Sequence, residues 1–218
     1  MIVGKLDHWI WTVPDLATGA EQIRTRLGPT YFGGRHDGLG SANHILPLGD
    51  DRYLEVLGPS NDLGSLGCFL KTSTPRLAAF AIRVADLERV ACLAIHLGLQ
   101  VDGPRDYSRF RSDGAAIRWR LLQLYGHGYG DYVPFFIDWG TTVHPSAVEP
   151  SQTDVASFAV DHPSEGLANL YCLLGIPVTI RQGEPRMTLT LRTPHAIEIL
   201  EGSGESDLLA NTRRAAAS

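Results

Sequence analysis

Leu6-Asp7-His8-Trp9-Ile10-Trp11-Thr12-Val13-Pro14-Asp15-Leu16 is answered 71 residues later by Leu77-Ala78-Ala79-Phe80-Ala81-Ile82-Arg83-Val84-Ala85-Asp86-Leu87. Leucine, valine, aspartate and leucine recur at equal positions, and Phe80 and Ile82 stand where Trp9 and Trp11 stand. A weaker third copy runs Val155-Ala156-Ser157-Phe158-Ala159-Val160-Asp161. Such repetition marks units that each bury an apolar face against the next, so the repeat decides the fold. At the position of His8 the other copies carry Ala79 and Ser157.

Each copy opens the same succession of elements. In the first, alternation puts Leu6, His8, Ile10 and Thr12 on one strand face and Asp7, Trp9, Trp11 and Val13 on the other. Pro14 stops the strand, Asp15 is placed to cap a helix, Leu16, Ala20, Ile23 and Leu27 give that helix one apolar face, and Gly28-Pro29 ends it. Three strands follow, around a glycine-rich run from Phe32 to Gly40, a strand from Ala42 to Leu48, and Tyr53-Leu54-Glu55-Val56-Leu57. The second copy predicts a strand over 77–84, a helix from Asp86 to Gly98, and strands near 105–111, 115–125 and 132–139. The third predicts a strand over 155–161, a helix closing at Gly175, and strands over 177–182, 186–192 and 195–200. From positions 8, 79 and 157 to the helix-ending Gly28, Gly98 and Gly175 the offsets are 20, 19 and 18, which supports three βαβββ-like units. They are placed at about 5–58, 76–140 and 154–201 within one domain over 1–201, and 202–218 is expected to be a polar, fraying tail.

The whole chain bounds the function classes. Its 218 residues are 44% hydrophobic and 20% charged, which suffices for a core without staples. A net charge of −5 without a long basic run argues against nucleic acid as a partner. No apolar run reaches the roughly 18 residues of a membrane span, and the start at Met1 lacks the pattern of a signal peptide, so cytoplasmic is the default reading. Cys68, Cys92 and Cys172 lie far apart, and Cys92 and Cys172 read as buried, inert thiols.

A βαβββ unit with a histidine on its first strand and a glutamate on its last resembles the vicinal oxygen chelate superfamily of glyoxalase I, extradiol dioxygenases and fosfomycin and bleomycin resistance proteins. Leu6-Asp7-His8, Pro14-Asp15-Leu16, Gly33-Gly34-Arg35-His36, Leu46-Pro47-Leu48-Gly49-Asp50, Tyr53-Leu54-Glu55, Arg118-Trp119-Arg120 and Phe135-Phe136-Ile137-Asp138-Trp139 resemble in particular a glyoxalase-like domain group of mostly bacterial proteins. The resemblance implies an α+β fold in which repeated modules form a cupped, incompletely closed mixed β-barrel with helices outside. It also implies metal ligands on the first and last strands of each module. Carried over, these are His8, Glu55 and, in the second module, Asp138, with Glu198 of Ile197-Glu198-Ile199 as the alternative if modules one and three share a cup. Ala79 supplies no ligand. Zinc, nickel, manganese and iron suit such a set.

Other residues are read as substrate contacts. Arg35 and His36 would sit on a loop over the cup, with Arg35 pairing an anion, and Asn43 would point its amide inward while His44 faces away. Arg118 and Arg120, opposite Ile117, Trp119 and Leu121, and Arg83 on the second unit's first strand, would direct cations into the cup. His144 lies in a connector and receives no chemical role. Two functions follow from the resemblance. One is a divalent-metal enzyme of lyase, isomerase or dioxygenase type acting on a small oxygenated substrate, with Glu55 as metal ligand or general base. The other is a metal-free protein that binds or sequesters a small, anionic molecule; an odd number of modules leaves room for a homodimer.

Overall fold

The computed structural model describes residues 4–36, 38–61, 64–110, 116–204 and 208–216; Asp37 of the glycine-rich run and residues 62–63 of the first connector lie outside them. The first unit is β1 (Lys5–Thr12), α1 (Leu16–Leu27), β2 (Tyr31–His36), β3 (Ser41–Pro47) and β4 (Tyr53–Pro59). Asp15 starts α1 by accepting from the Thr18 amide at 2.7 Å, and Gly28, at φ +116°, lets the chain turn away after Leu27. A short α2 (Ser65–Lys71) leads to the second unit, β5 (Arg76–Arg83), α3 (Leu87–His96), β6 (Gln100–Phe110), β7 (Ala116–Tyr125) and β8 (Phe135–Asp138). Here Asp86 repeats the cap on the Arg89 amide at 2.8 Å. The third unit is β9 (Asp154–Asp161), α4 (Glu165–Leu174), the two-residue β10 (Ile180–Arg181), β11 (Arg186–Arg192) and β12 (Ile197–Ser203), followed by α5 (Leu208–Ala216).

The first two units share one eight-stranded sheet in the order β2-β3-β4-β1-β5-β8-β7-β6. They join where β1 runs antiparallel to β5, with His8 opposite Ala81, Trp9 opposite Phe80 and Ile10 opposite Ala79. Trp9 thus pairs with its own counterpart, as a local two-fold axis through that pair requires. The sheet curls until its edges, β2 and β6, meet. One face carries Trp9, Leu54, Val56, Phe80 and Phe136 and packs on α1, α3 and the third unit. The other carries Ile10, Tyr53, Leu57, Phe135, Ile137 and Trp139 and is covered by α2 and by Leu208 of α5.

The third unit stands apart as a four-stranded sheet, β10-β9-β11-β12, laid on the outer face of the large one. Phe158 of β9 meets Trp9 and Phe80 edge-on at 5.5 and 4.9 Å between ring centres. Of the two readings left open by sequence, the cup therefore belongs to units one and two.

Three expectations change. Residues 208–216 are helical rather than frayed, because Leu208 is buried and Asp131 accepts from the Leu208 and Leu209 amides at 2.8 and 3.2 Å. Cys92 and Cys172, expected inside, are exposed on α3 and α4, whose buried stripes are made by Leu87, Val90 and Ala94 and by Leu167, Leu170 and Leu174. In β1 the pairing shifts between Leu6 and His8, so Asp7 joins His8 on the inner side while Leu6 packs with the outer core.

Candidate functional site

The inner face of the curled sheet encloses a cavity of about 120 Å³. Its walls are aromatic and aliphatic, from Trp119, Leu121, Phe135, Ile137 and Trp139 of the second unit, with Leu208, Leu209 and Thr212 of α5 over it. At its polar end stand His8, His36, Asn43, Glu55 and Arg109.

The strands aim these groups by register. His8 lies beside Tyr53 across β1 and β4, and the Tyr53 ring lies flat on the imidazole at 4.4 Å with 10° between planes. Burial, and then the negative charges of Asp7 and Glu55, push the Tyr53 phenol well above its ordinary pKa, so it stays neutral. Beneath His8, Asp7 is fully buried and accepts from His8 Nδ1 at 2.6 Å, His144 Nε2 at 3.1 Å and Trp139 Nε1 at 3.2 Å, with Arg83 Nε at 3.4 Å. Burial alone would raise its pKa; hydrogen bonds and charge from His144 and His8 outweigh that and hold the carboxyl well below the usual range. An ionised Asp7 commits His8 Nδ1 as donor and turns Nε2 toward the cavity.

Glu55, 8% exposed, accepts from Asn43 Nδ2 on Oε1 at 2.6 Å. Its Oε2 faces His8 Nε2 at 3.7 Å, and His36 Nε2 stands 3.8 Å from Oε1. His36 is itself steered by Ser41, whose hydroxyl lies 2.9 Å from Nδ1. Asn43 turns its other end to Arg109, whose Nη1 donates to Oδ1 at 2.9 Å. The amide thus separates carboxylate from guanidinium and bonds to both.

Of the residues singled out by sequence, the structure brings together His8, His36, Asn43 and Glu55. Arg35 is exposed and does not line the cavity. Arg83 stands behind Asp7, with Nη2 donating to the Asp51 carbonyl at 3.4 Å. Arg118 and Arg120 lie on the outer side of β7, where Arg120 pairs with Glu88 of α3, while Trp119, Leu121 and Gln123 point inward. The expected parity inverts because β7 is apolar on both sides, and the cations take the side that reaches water. Asp138 is also outside, accepting from the Gly140 amide at 2.9 Å. Pairing explains it: β4 sets Glu55 beside Ile10, and β8 sets Phe135 beside Ala81, the counterpart of Ile10. The structural counterpart of Glu55 is therefore Phe135, three residues before Asp138, and an odd shift reverses the face. Glu198 lies far off, held by Arg26 of α1 at 2.7 Å.

The expected metal set thus does not assemble. Ala79 and Phe135 offer no donor at the second unit's two positions, and among the described residues no group of three or more His, Cys, Asp or Glu is placed to hold a metal ion. These residues do not fit a three-ligand centre. Asp7, Arg109 and His144 were not read from sequence as site groups. For Asp7 the missing signal was the bulge; for Arg109 it was the contact between sheet edges that are far apart in sequence.

Comparison with known proteins agrees with this architecture. The glyoxalase-like domain family matches residues 6–175. A hypothetical protein from Staphylococcus aureus superimposes with a TM-score of 0.67 at 16% identity, over 93% of this chain and 87% of that one. Methylmalonyl-CoA epimerase from Mycobacterium tuberculosis gives 0.48 at 19% identity, over 64% of this chain and 89% of that one. A hypothetical protein from Bacillus halodurans gives 0.44 at 17%, over 64% and 97%. No match was found among functionally curated proteins. The repeated units, the curled sheet they form and a family match over most of the sequence have one conclusion: the chain belongs to the glyoxalase-like domain family.

Proposed function

We propose that this protein is an enzyme of isomerase or lyase type that moves a proton on a small oxygenated substrate, using Glu55 and His8 rather than a three-ligand metal centre. The observation that carries the reading is the placement of Glu55 at the polar end of an apolar cavity, with Oε2 uncommitted and 3.7 Å from an imidazole backed by a buried aspartate. Substrate carbon packs on Phe135 and Trp139. Glu55 takes a proton from a carbon next to a carbonyl or carboxyl group and returns it to carbon. Meanwhile His8 in its imidazolium form, with Nδ1–H held by Asp7, gives the Nε2 proton to the neighbouring oxygen and takes it back as the enol collapses. The low-dielectric walls strengthen both interactions.

The test is hydrogen exchange in deuterated water with pyruvate, acetoin, phenylpyruvate and mandelate, followed by NMR. Wild-type protein should catalyse exchange on at least one of the four, and Glu55→Gln should slow it about 100-fold or more. Equal rates in the two proteins, or no exchange with a compound shown to bind, would overturn the reading. Metal analysis is the companion measurement: a chelator should leave exchange unchanged. About one divalent ion per chain, lost in His8→Ala together with exchange, would restore the metal-dependent reading.

A second reading is a metal-free protein that binds or sequesters its ligand. The apolar residues Ala79 and Phe135, at the positions where the second unit would bear polar groups, favour it. It predicts ligand binding without exchange.

A further inference from the structure

We propose that Arg109 forms a carboxylate-binding subsite at the seam of the curled sheet, so that the ligand of this cavity is a small carboxylic acid with a flat, apolar body. This rests on the cavity being the ligand site, as in the reading above, but not on proton transfer there.

Arg109 is 8% exposed and lines the cavity. A buried guanidinium normally meets a carboxylate, because an uncompensated buried charge costs several kcal/mol. Among the described residues Arg109 has no such partner: its one hydrogen bond runs from Nη1 to the Asn43 amide oxygen, and its Nε is buried without a partner. Glu55 is the carboxylate within the same cavity, and its Oε1 accepts from the far end of that amide instead of from Arg109. The guanidinium is held, charged and short of acceptors.

The surroundings are shaped to hold it there. Arg109 comes from edge strand β6 and reaches across to edge strand β2, where Gly33 and Gly34 face it. A Cβ on Gly33 would fall 2.3 Å from Asn43 Oδ1 and 3.1 Å from Arg109 Nη1, and one on Gly34 would fall 3.1 Å from Arg109 Cδ. The paired glycines thus make a bare backbone bed for this side chain. The guanidinium carbon lies 5.9 Å from the centre of the Trp119 ring, which steadies it further. A guanidinium fixed in one plane, with parallel N–H groups, is suited to two-point binding of a carboxylate. Phe135, Ile137 and Trp139 then receive the rest of the molecule.

The probes are benzoate and its neutral isostere benzamide, titrated calorimetrically against the full chain. Wild-type protein should bind benzoate at least tenfold more tightly than benzamide. Arg109→Gln should remove that preference and Arg109→Lys should keep part of it, whereas Glu55→Gln, which takes a negative charge out of the same cavity, should not lower it even though exchange slows. Benzoate bound no better than benzamide by wild-type protein would overturn the proposal without need of a variant that folds. A preference retained in folded Arg109→Gln would overturn it equally. A protein that prefers benzoate yet exchanges no hydrogen keeps this subsite and removes only the catalytic reading.

Discussion

Four donors, from His8, His144, Trp139 and Arg83, converge on the Asp7 carboxylate, and their number sets what its loss does. Asp7→Asn keeps the shape but replaces one of the two acceptor oxygens by an NH2 donor, so that one buried histidine faces a donor and Arg83 loses its counter-charge. Breaking a buried charged network from one side costs about 3–5 kcal/mol, which urea denaturation at neutral pH should show. The pH dependence follows from the depressed pKa. Asp7 holds fewer protons folded than unfolded at mildly acid pH, so its stabilisation is fully present above about pH 4 and drains away as pH falls toward its lowered folded value. Asp7→Asn should flatten the acid limb of stability against pH; an unchanged limb would contradict the assignment. Gly33 gives a second residue-level test. Gly33→Ala should leave fold stability within about 1–3 kcal/mol, the usual cost of overpacking, while displacing Asn43 from its bridge between Glu55 and Arg109. Calorimetry should then find weaker benzoate binding.

Among the elements, α5 is held from outside its own sequence and reaches the cavity. Leu208 is buried, Leu209 and Thr212 also line the cavity, and the first amides of the helix are capped by Asp131, which belongs to the turn before β8. Removing that cap with Asp131→Ala should cost about 1 kcal/mol and speed amide exchange first in residues 208–212. Equal protection before and after would mean that packing of Leu208 alone holds the helix. β8 shows how an element can be found and still be misaimed. Phe135-Phe136-Ile137 is apolar on both sides, so alternation cannot say which side faces the cavity, and pairing with β5 decides it.

At the level of the whole molecule, the third unit serves as the outer wall of the first two. Its Phe158, Leu189 and Leu191 cover the outer core around Trp9 and Phe80 at the junction of the large sheet. Contact there is close enough that Gly202 of β12 meets the backbone of β5: a Cβ would fall 1.7 Å from the Leu77 carbonyl oxygen. Neither partner can yield as a flexible side chain would. Gly202→Val should therefore lower stability by about 1–3 kcal/mol or more, read as a fall in thermal midpoint, and loosen the strand pair that carries His8. No helix among the described residues is long and apolar enough to cross a membrane.

Much of this was local and therefore legible. The 71-residue repeat, the aspartate caps and the helix-ending glycines determine the units and their order, because capping and turning depend on a few consecutive residues. Strand alternation likewise separated Asn43 from His44, and the family pattern picked out His8 and Glu55. What the tertiary structure alone decided was where strands meet. The bulge that turns Asp7 inward, the three-residue difference that replaces Asp138 by Phe135, and the seam that brings Arg109 to Asn43 all depend on pairing between distant segments. Side chains alternate with period two, so a shift of one or three residues leaves the sequence pattern intact while exchanging inside for outside.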